Sequence, residues 1–229
     1  MKALASMLST AWHIAWWDTA CELRRPTAVT SVALFGAGAL ISMRLAIAGG
    51  SAASAELAVG GMWVVLLFGA MMGVGRALAI EREEGTFDLL LSAPADRSSI
   101  YLGKVGSAAI QGVVVSSLLV PLCWVLLAPP PSPAAACATV GIVAAASLGF
   151  AAVGVLGGIL SMRARGRELL NAAIFVPLTL PLIIISVTAT LHAWGIHSGN
   201  VQELIGYMLC YDGVFLAAGV AATPLLVVE

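Results

Sequence analysis

The sequence predicts an all-α integral membrane protein with six transmembrane helices, an N-terminal amphipathic interfacial helix and a short cytoplasmic helix between spans 2 and 3. The first observation is composition, since 60% of the 229 residues are hydrophobic and only 10% are charged, whereas soluble domains carry about a quarter charged residues. The second is a mean hydropathy of +1.01. The third is that the apolar residues form six runs of about 20 residues or more, long enough to cross a bilayer core.

The segment 1–25 is predicted to form an amphipathic helix on the cytoplasmic face of the membrane. Its apolar side chains recur at helical spacing, at Leu4, Leu8, Trp12 and Trp16. Tryptophan favours the membrane interface, and the basic pair Arg24 and Arg25 ends the segment. The remaining residues, 26–229, are then one membrane domain.

Six apolar segments follow in that domain. They cover roughly residues 27–49, 57–80, 103–128, 134–160, 171–193 and 205–227. The outer connections are short and carry turn residues. Residues 129–133 read Pro-Pro-Pro-Ser-Pro, which cannot be helical because proline lacks the backbone N–H. Residues 50–56 are rich in glycine, serine and alanine, and residues 194–204 contain two glycines.

The basic residues predict the orientation. If the six spans alternate, ten of the eleven Lys and Arg residues lie on one side, and the positive-inside rule makes that side cytoplasmic. The exception is Arg44, near the outer end of the first span. Both termini and the loops 81–102 and 161–170 are therefore expected in the cytoplasm.

The densest charge cluster lies in the first of these loops, where the residues also predict local structure. Gly85 can end the incoming helix and Thr86 can cap a new one. Pro94 stops that short helix, and Asp96 can cap the next span. The apolar residues Phe87, Leu90 and Leu91 cluster along one side of the predicted helix.

An exposed apolar face with a charged rim is typical of a docking surface for another protein. The alternative is a loop helix that folds back onto the membrane surface. The candidate docking residues are Glu83, Glu84, Gly85, Thr86, Phe87, Leu90, Leu91, Pro94, Asp96 and Arg97.

The motifs of several enzyme classes are missing from the sequence. Gly103-Lys104 lacks the upstream glycine and the following hydroxyl of a phosphate-binding loop, so the chain is not expected to hydrolyse ATP. The four cysteines are scattered without a CxxC pair, and no metal or cofactor site is predicted. A net charge of −1 gives no indication of nucleic-acid binding.

The stretch from Ile80 to Lys104 resembles the corresponding loop of the heme exporter protein B (CcmB) family, permease subunits of the heme exporter in bacterial cytochrome c maturation. Its first half, with Gly85-Thr86 followed by leucines and a proline, is shared by many permeases of the ABC-2 exporter type. The second half, from Ser92 onward, is more specific, because it is shared by fewer permeases. Further matches are Glu22–Pro26, Arg163–Leu170, and the proline pair at 177 and 181.

The resemblance implies a homodimeric permease in the bacterial inner membrane, bound to two copies of a cytoplasmic ABC ATPase. It also implies a Trp-rich heme-handling membrane subunit, a small membrane subunit and a periplasmic heme chaperone as partners. In this reading residues 86–93 form the coupling helix, and heme is a transported or handled ligand rather than a resident cofactor. Two roles stay open: heme passes through the subunit, or ATP hydrolysis releases the loaded chaperone.

Two other interpretations remain at this point. In one, the chain is an ABC-2-type permease for a lipid, drug or glycan. In the other, it is a scaffold subunit that transports no substrate. His192 and His197 flank the last outer loop near Trp194, and the two histidines are either axial heme ligands or solvated side chains. Asp212, within the last span, is either paired, water-facing or functional.

Overall fold

A computed structural model describes residues 2–24, 27–47, 55–83, 96–161 and 167–226. Within these ranges the chain forms seven α-helices and no strand. They are α1 Lys2–Arg24, α2 Thr27–Ile47, α3 Ala55–Glu83, α4 Arg97–Leu126, α5 Pro133–Ser161, α6 Arg167–Ala193 and α7 Val201–Leu226. Helices α2 to α7 are each long and apolar enough to span a membrane. The predicted fold class, all-α with six spans, is confirmed.

Helix α5 is the centre of the bundle. It packs against α3, α4, α6 and α7, and 83% of its membrane window is buried, against 17% for α2 and for α7. Small residues make this possible, because glycine and alanine let helix backbones approach closely inside lipid. At Gly154, for example, an added Cβ would lie 3.1 Å from Val74 of α3 and 3.2 Å from Phe175 of α6.

Two apolar clusters hold the helices together. The larger one includes Trp63, Phe150, Phe175 and Leu182, and joins α2, α3, α4, α5, α6 and α7. The smaller one surrounds Tyr101 and includes residues near the start of α4 and in the later parts of α5 and α7. A single buried polar ring, the phenol of Tyr101, therefore lies at the centre of the packing on the side where α4 begins.

Helix α1 packs along the first turns of α4. Its buried side chains are the alanines Ala11 and Ala15, whereas Trp12 and Trp16 are 65% and 63% exposed. Glycines of α4 allow α1 to approach closely, since a Cβ at Gly103 would lie only 2.7 Å from the Ile14 side chain. The predicted helix is thus present, and its tryptophans point away from the bundle.

Three helices start well before the predicted spans. Helix α4 begins at Arg97 rather than 103, α6 at Arg167 rather than 171, and α7 at Val201 rather than 205. These first turns contain polar residues, and apolar runs alone define a span too narrowly. The start of α7 is capped, since the Asn200 side chain accepts a hydrogen bond from the Gln202 N–H at 3.0 Å.

The predicted breaks at 129–133 and 194–204 are confirmed in part, since residues 127–132 and 194–200 separate the helices and Pro133 is the first residue of α5. Ser132 caps α5, with its hydroxyl accepting from the Ala135 N–H at 3.1 Å. Helix α6 ends at Ala193, and Gly195 follows with a φ of 71°, a conformation that glycine adopts without steric cost. The Ile196 N–H then returns to the Leu191 carbonyl at 3.0 Å, the bonding pattern of a glycine-terminated helix.

Candidate functional site

The predicted docking residues lie between α3 and α4. Glu83 is the last residue of α3, and Arg97 is the first of α4, directly after Asp96. The other candidates fall outside the described residues, as does the predicted short helix itself. They are Glu84, Gly85, Thr86, Phe87, Leu90, Leu91 and Pro94.

Asp96 fixes the point where α4 begins. Its backbone is extended, and its side chain accepts a hydrogen bond from the Ser98 N–H at 3.1 Å. Its carbonyl accepts from the Ser99 N–H at 2.8 Å. This is the N-cap that the sequence predicts, and it satisfies N–H groups that have no partner inside the helix. The start of α4 is therefore well defined at the point where the predicted docking loop returns to the bundle.

The first turn of α4 is hydrogen-bonded to the backbone of α7. The Ser98 hydroxyl donates to the Val220 carbonyl at 3.2 Å, and the Arg97 guanidinium donates to the Pro224 carbonyl at 3.5 Å. Pro224 has no N–H to offer the Val220 carbonyl four residues earlier. The Pro224 carbonyl lies in the last described turn of α7.

Tyr101, one turn further along α4, connects three helices. Its side chain is fully buried, and its hydroxyl lies 3.0 Å from the Ala152 carbonyl of α5 and 3.2 Å from the Phe215 carbonyl of α7. The ring occupies the space where a Cβ at position 219 would be, so Gly219 is what admits it. We call Arg97, Ser98 and Tyr101, with their acceptors on α5 and α7, the α4–α7 clamp.

Lys104 ties the same part of α4 to α1. Its ammonium group donates to the Asp18 carboxylate at 2.7 Å, and the side chains of the pair are 8% and 28% exposed. One turn beyond Asp18, partial burial raises the pKa of Glu22 above its ordinary value of 4.5. One oxygen of that carboxyl is buried without a hydrogen-bond partner among the described residues. The first turns of α4 thus contact α1, α5 and α7.

Sequence reasoning found part of this arrangement. It identified Asp96 as a cap and Arg97 as a candidate, but gave Ser98 and Tyr101 no role beyond their part in the resemblance. A signal was present in the sequence: polar side chains at helical spacing in the first turns of a span, together with Pro224 in the last span. The missing information was that α4 and α7 are neighbours.

Asp212 is buried within α7, facing α5 and α6. Its side chain is 1% exposed, and neither carboxylate oxygen has a hydrogen-bond partner in the part of the chain that the structure describes. Gly149 of α5 makes room for it, since a Cβ there would overlap the carboxylate. The adjacent Tyr211 hydroxyl donates to the Leu178 carbonyl of α6. Of the three sequence-based alternatives, the water-facing position and the paired acid are not what the described residues show.

The candidates near the end of α6, His192, Trp194 and His197, have separate surroundings. Trp194 is buried, and its indole N–H donates to the Thr139 hydroxyl at 3.0 Å, which ties the end of α6 to α5. The His192 and His197 rings stack with centroids 6.3 Å apart, and His197 lies 3.6 Å from the Glu56 carboxylate. Among the described residues no group of three or more His, Cys, Asp or Glu side chains is arranged to hold a metal ion.

A small pocket lies among α2, α3, α4 and α5. Small residues such as Gly69, Gly73 and Gly112 leave this space, and Trp63 and Phe150 close it. The lining is apolar except for a few uncharged polar groups on α4 and α5. The pocket carries no ionisable side chain.

Six helices that are long and apolar enough to cross a membrane define a multi-pass membrane protein. The chain belongs to the CcmB protein family, whose sequence model matches residues 9–224 of its 229 residues. Membership implies the permease subunit of the heme exporter for cytochrome c maturation, in a complex with an ATPase partner. No curated protein matches the chain.

Proposed function

We propose that this chain couples ATP hydrolysis in a cytoplasmic ABC ATPase to heme delivery at the bacterial inner membrane. Residues 86–93 form the coupling helix in this proposal, with Phe87, Leu90 and Leu91 in a groove of the ATPase and charged residues at the rim. The observation that carries the proposal is the return of the loop into α4. Asp96 caps that helix, and its first turns are bonded to α1, α5 and α7. A displacement of the loop is therefore passed to several helices at once.

The same proposal includes the orientation of the protein in the membrane and the proteins that surround it. Both termini are cytoplasmic because ten of the eleven basic residues then lie inside. The 1–25 helix rests at the cytoplasmic interface, and its exposed tryptophans enter the lipid. The permease domain, 26–229, pairs with a second copy and with two ATPase copies. A Trp-rich heme-handling subunit, a small membrane subunit and a periplasmic heme chaperone complete the assembly.

The docking proposal is tested by a double substitution, Phe87→Ala with Leu90→Ala. Burial of an aromatic or leucine anchor in a partner pocket is typically worth about 2 kcal/mol or more, so the variant should lose capture of the ATPase from solubilised membranes while staying inserted. Val113→Ala with Leu118→Ala is the matched control, since both side chains are exposed on the lipid-facing part of α4. Wild-type capture by the Phe87/Leu90 variant would exclude this docking site.

Whether the complex handles heme, and in which way, is tested on the purified complex with its partners. Copurification of heme and of a heme chaperone supports delivery for cytochrome c assembly. ATP-dependent release of the loaded chaperone without heme movement through the permease assigns the release role. A complex that carries neither heme nor a heme chaperone would favour the alternative permease for another substrate.

A further inference from the structure

We propose that the α4–α7 clamp makes the last span move with the coupling loop, and that Ser98 and Tyr101 are positioning residues for this transmission. The inference rests on the proposed function, in which the loop before α4 docks on the ATPase. Its new content is the route: the motion reaches α7 and α5 through hydrogen bonds from side chains of α4 to backbone carbonyls, and the bonds of Ser98 and Tyr101 are the shorter ones.

The first argument is the position of the clamp. Its three donors occupy the first two turns of α4, immediately after the cap at Asp96. All three reach α7, and the Tyr101 hydroxyl also reaches α5. Any rotation or tilt of the start of α4 must therefore displace the cytoplasmic end of α7 or break these bonds.

The second argument is that α7 is adapted to accept these donors. Pro224 removes the N–H that would otherwise occupy the Val220 carbonyl, and Gly219 removes the Cβ that would otherwise exclude the Tyr101 ring. Both features weaken α7 as a helix, since proline and glycine are the two least favourable helix residues.

Substitutions of Ser98 and Tyr101 are expected to differ in their effect on stability. This difference allows the role of the α4–α7 link to be separated from an effect on protein stability. Loss of the Ser98 hydroxyl leaves the Val220 carbonyl without any donor. By contrast, the Ala152 and Phe215 carbonyls keep the helical N–H groups of residues 156 and 219 when the Tyr101 hydroxyl is lost. Tyr101→Phe therefore removes the link without leaving a backbone group unpaired, and it preserves the packing of the ring.

The experiment measures cytochrome c maturation per ATP hydrolysed in the full complex, together with the melting temperature and ATPase capture of each variant. Tyr101→Phe should lower the coupled output by about five-fold or more, the range of ordinary coupling energies, at a melting temperature near wild type. Ser98→Ala should lower both output and melting temperature. In Ser98→Ala with Pro224→Ala the new N–H pairs with the Val220 carbonyl, so stability should recover while the output stays low.

The matched control is Ser116→Ala. Ser116 lies on the same helix, is 7% exposed like Ser98, and donates within α4 to the Gly112 carbonyl, so its loss should leave the output unchanged. Wild-type output in Tyr101→Phe, or recovery of output together with stability in Ser98→Ala with Pro224→Ala, would overturn the proposal. ATPase capture should be normal in every clamp variant. Capture that survives the Phe87/Leu90 substitution would instead contradict the docking site, so the two failures are distinguishable.

Discussion

At the residue scale, single small residues decide which side chains can enter the bundle. Gly219 admits the ring of Tyr101, and Gly149 admits the carboxylate of Asp212. In a membrane interior such contacts matter because helices associate through close packing and hydrogen bonds rather than through the hydrophobic effect. A methyl group added at either glycine must displace a buried side chain.

Gly219→Ala is expected to destabilise the protein by about 1–3 kcal/mol, the usual cost of adding a methylene group to a packed core. The Tyr101 ring would have to leave its site, and its hydrogen bonds to the Ala152 and Phe215 carbonyls would be lost. Thermal unfolding in detergent measures the effect. Gly213→Ala on the same helix is the control, because its Cβ would meet nothing within 4 Å. Equal melting temperatures for the two variants would contradict the packing described for Tyr101.

Glu22 gives a pH dependence at the same scale. Burial raises the pKa of this carboxyl above 4.5 in the folded state, so the folded protein binds the proton more tightly than the unfolded chain. The cost of burying the charge is present above the folded pKa and disappears as the pH falls through it towards about 4.5. Glu22→Gln should therefore raise the melting temperature at pH 7, and the difference from wild type should shrink at acidic pH. A difference that is constant with pH would contradict this environment.

At the element scale, the start of α4 is where separate helices are joined. Asp96 caps it, the clamp bonds it to α7 and α5, and Lys104 bonds it to α1. Helix α1 is thereby part of the folded bundle as well as a candidate membrane anchor. Its contact with α4 combines close alanine–glycine packing with one short ion pair.

The Asp18–Lys104 pair should contribute a measurable coupling energy. Because the ammonium group is almost fully buried and the bond is short, a double-mutant cycle with Asp18→Asn and Lys104→Met is expected to give about 0.5–3 kcal/mol. Thermal or denaturant unfolding of the four proteins measures it. Asp18→Asn alone should also make α1 more accessible to protease. Additive effects of the two substitutions would show that the pair does not hold α1 on α4.

The sequence predicts the elements better than their contacts. Apolar runs and proline-rich breaks place all six spans, because those signals are local. The predicted starts of α4, α6 and α7 are too late because the first turns of these helices contain polar residues. The pairing of Ser98 with the carbonyl that Pro224 leaves free depends on two residues more than 120 positions apart and was not predictable from one sequence. The environment of Asp212 was left open for the same reason.

At the scale of the whole molecule, a buried central helix is surrounded by spans that differ in how much they are covered. Helix α5 is the most deeply buried of the spans, while α2 and α7 are largely open to their surroundings. The clamp attaches α4 to α7, one of the exposed spans. In the proposed assembly, movement of the ATPase would thus reach a surface that is free to meet lipid, a second copy or another membrane subunit.

The central claim is that residues 86–93 contact the ATPase, and site-specific photo-crosslinking tests it most directly. A benzophenone amino acid at position 87, in the membrane-bound complex with all its partners, should crosslink to the ATPase. The same group at position 125, where Val125 is 83% exposed near the opposite end of α4, should not. A complex that assembles normally but gives no ATPase crosslink from position 87 would contradict the account.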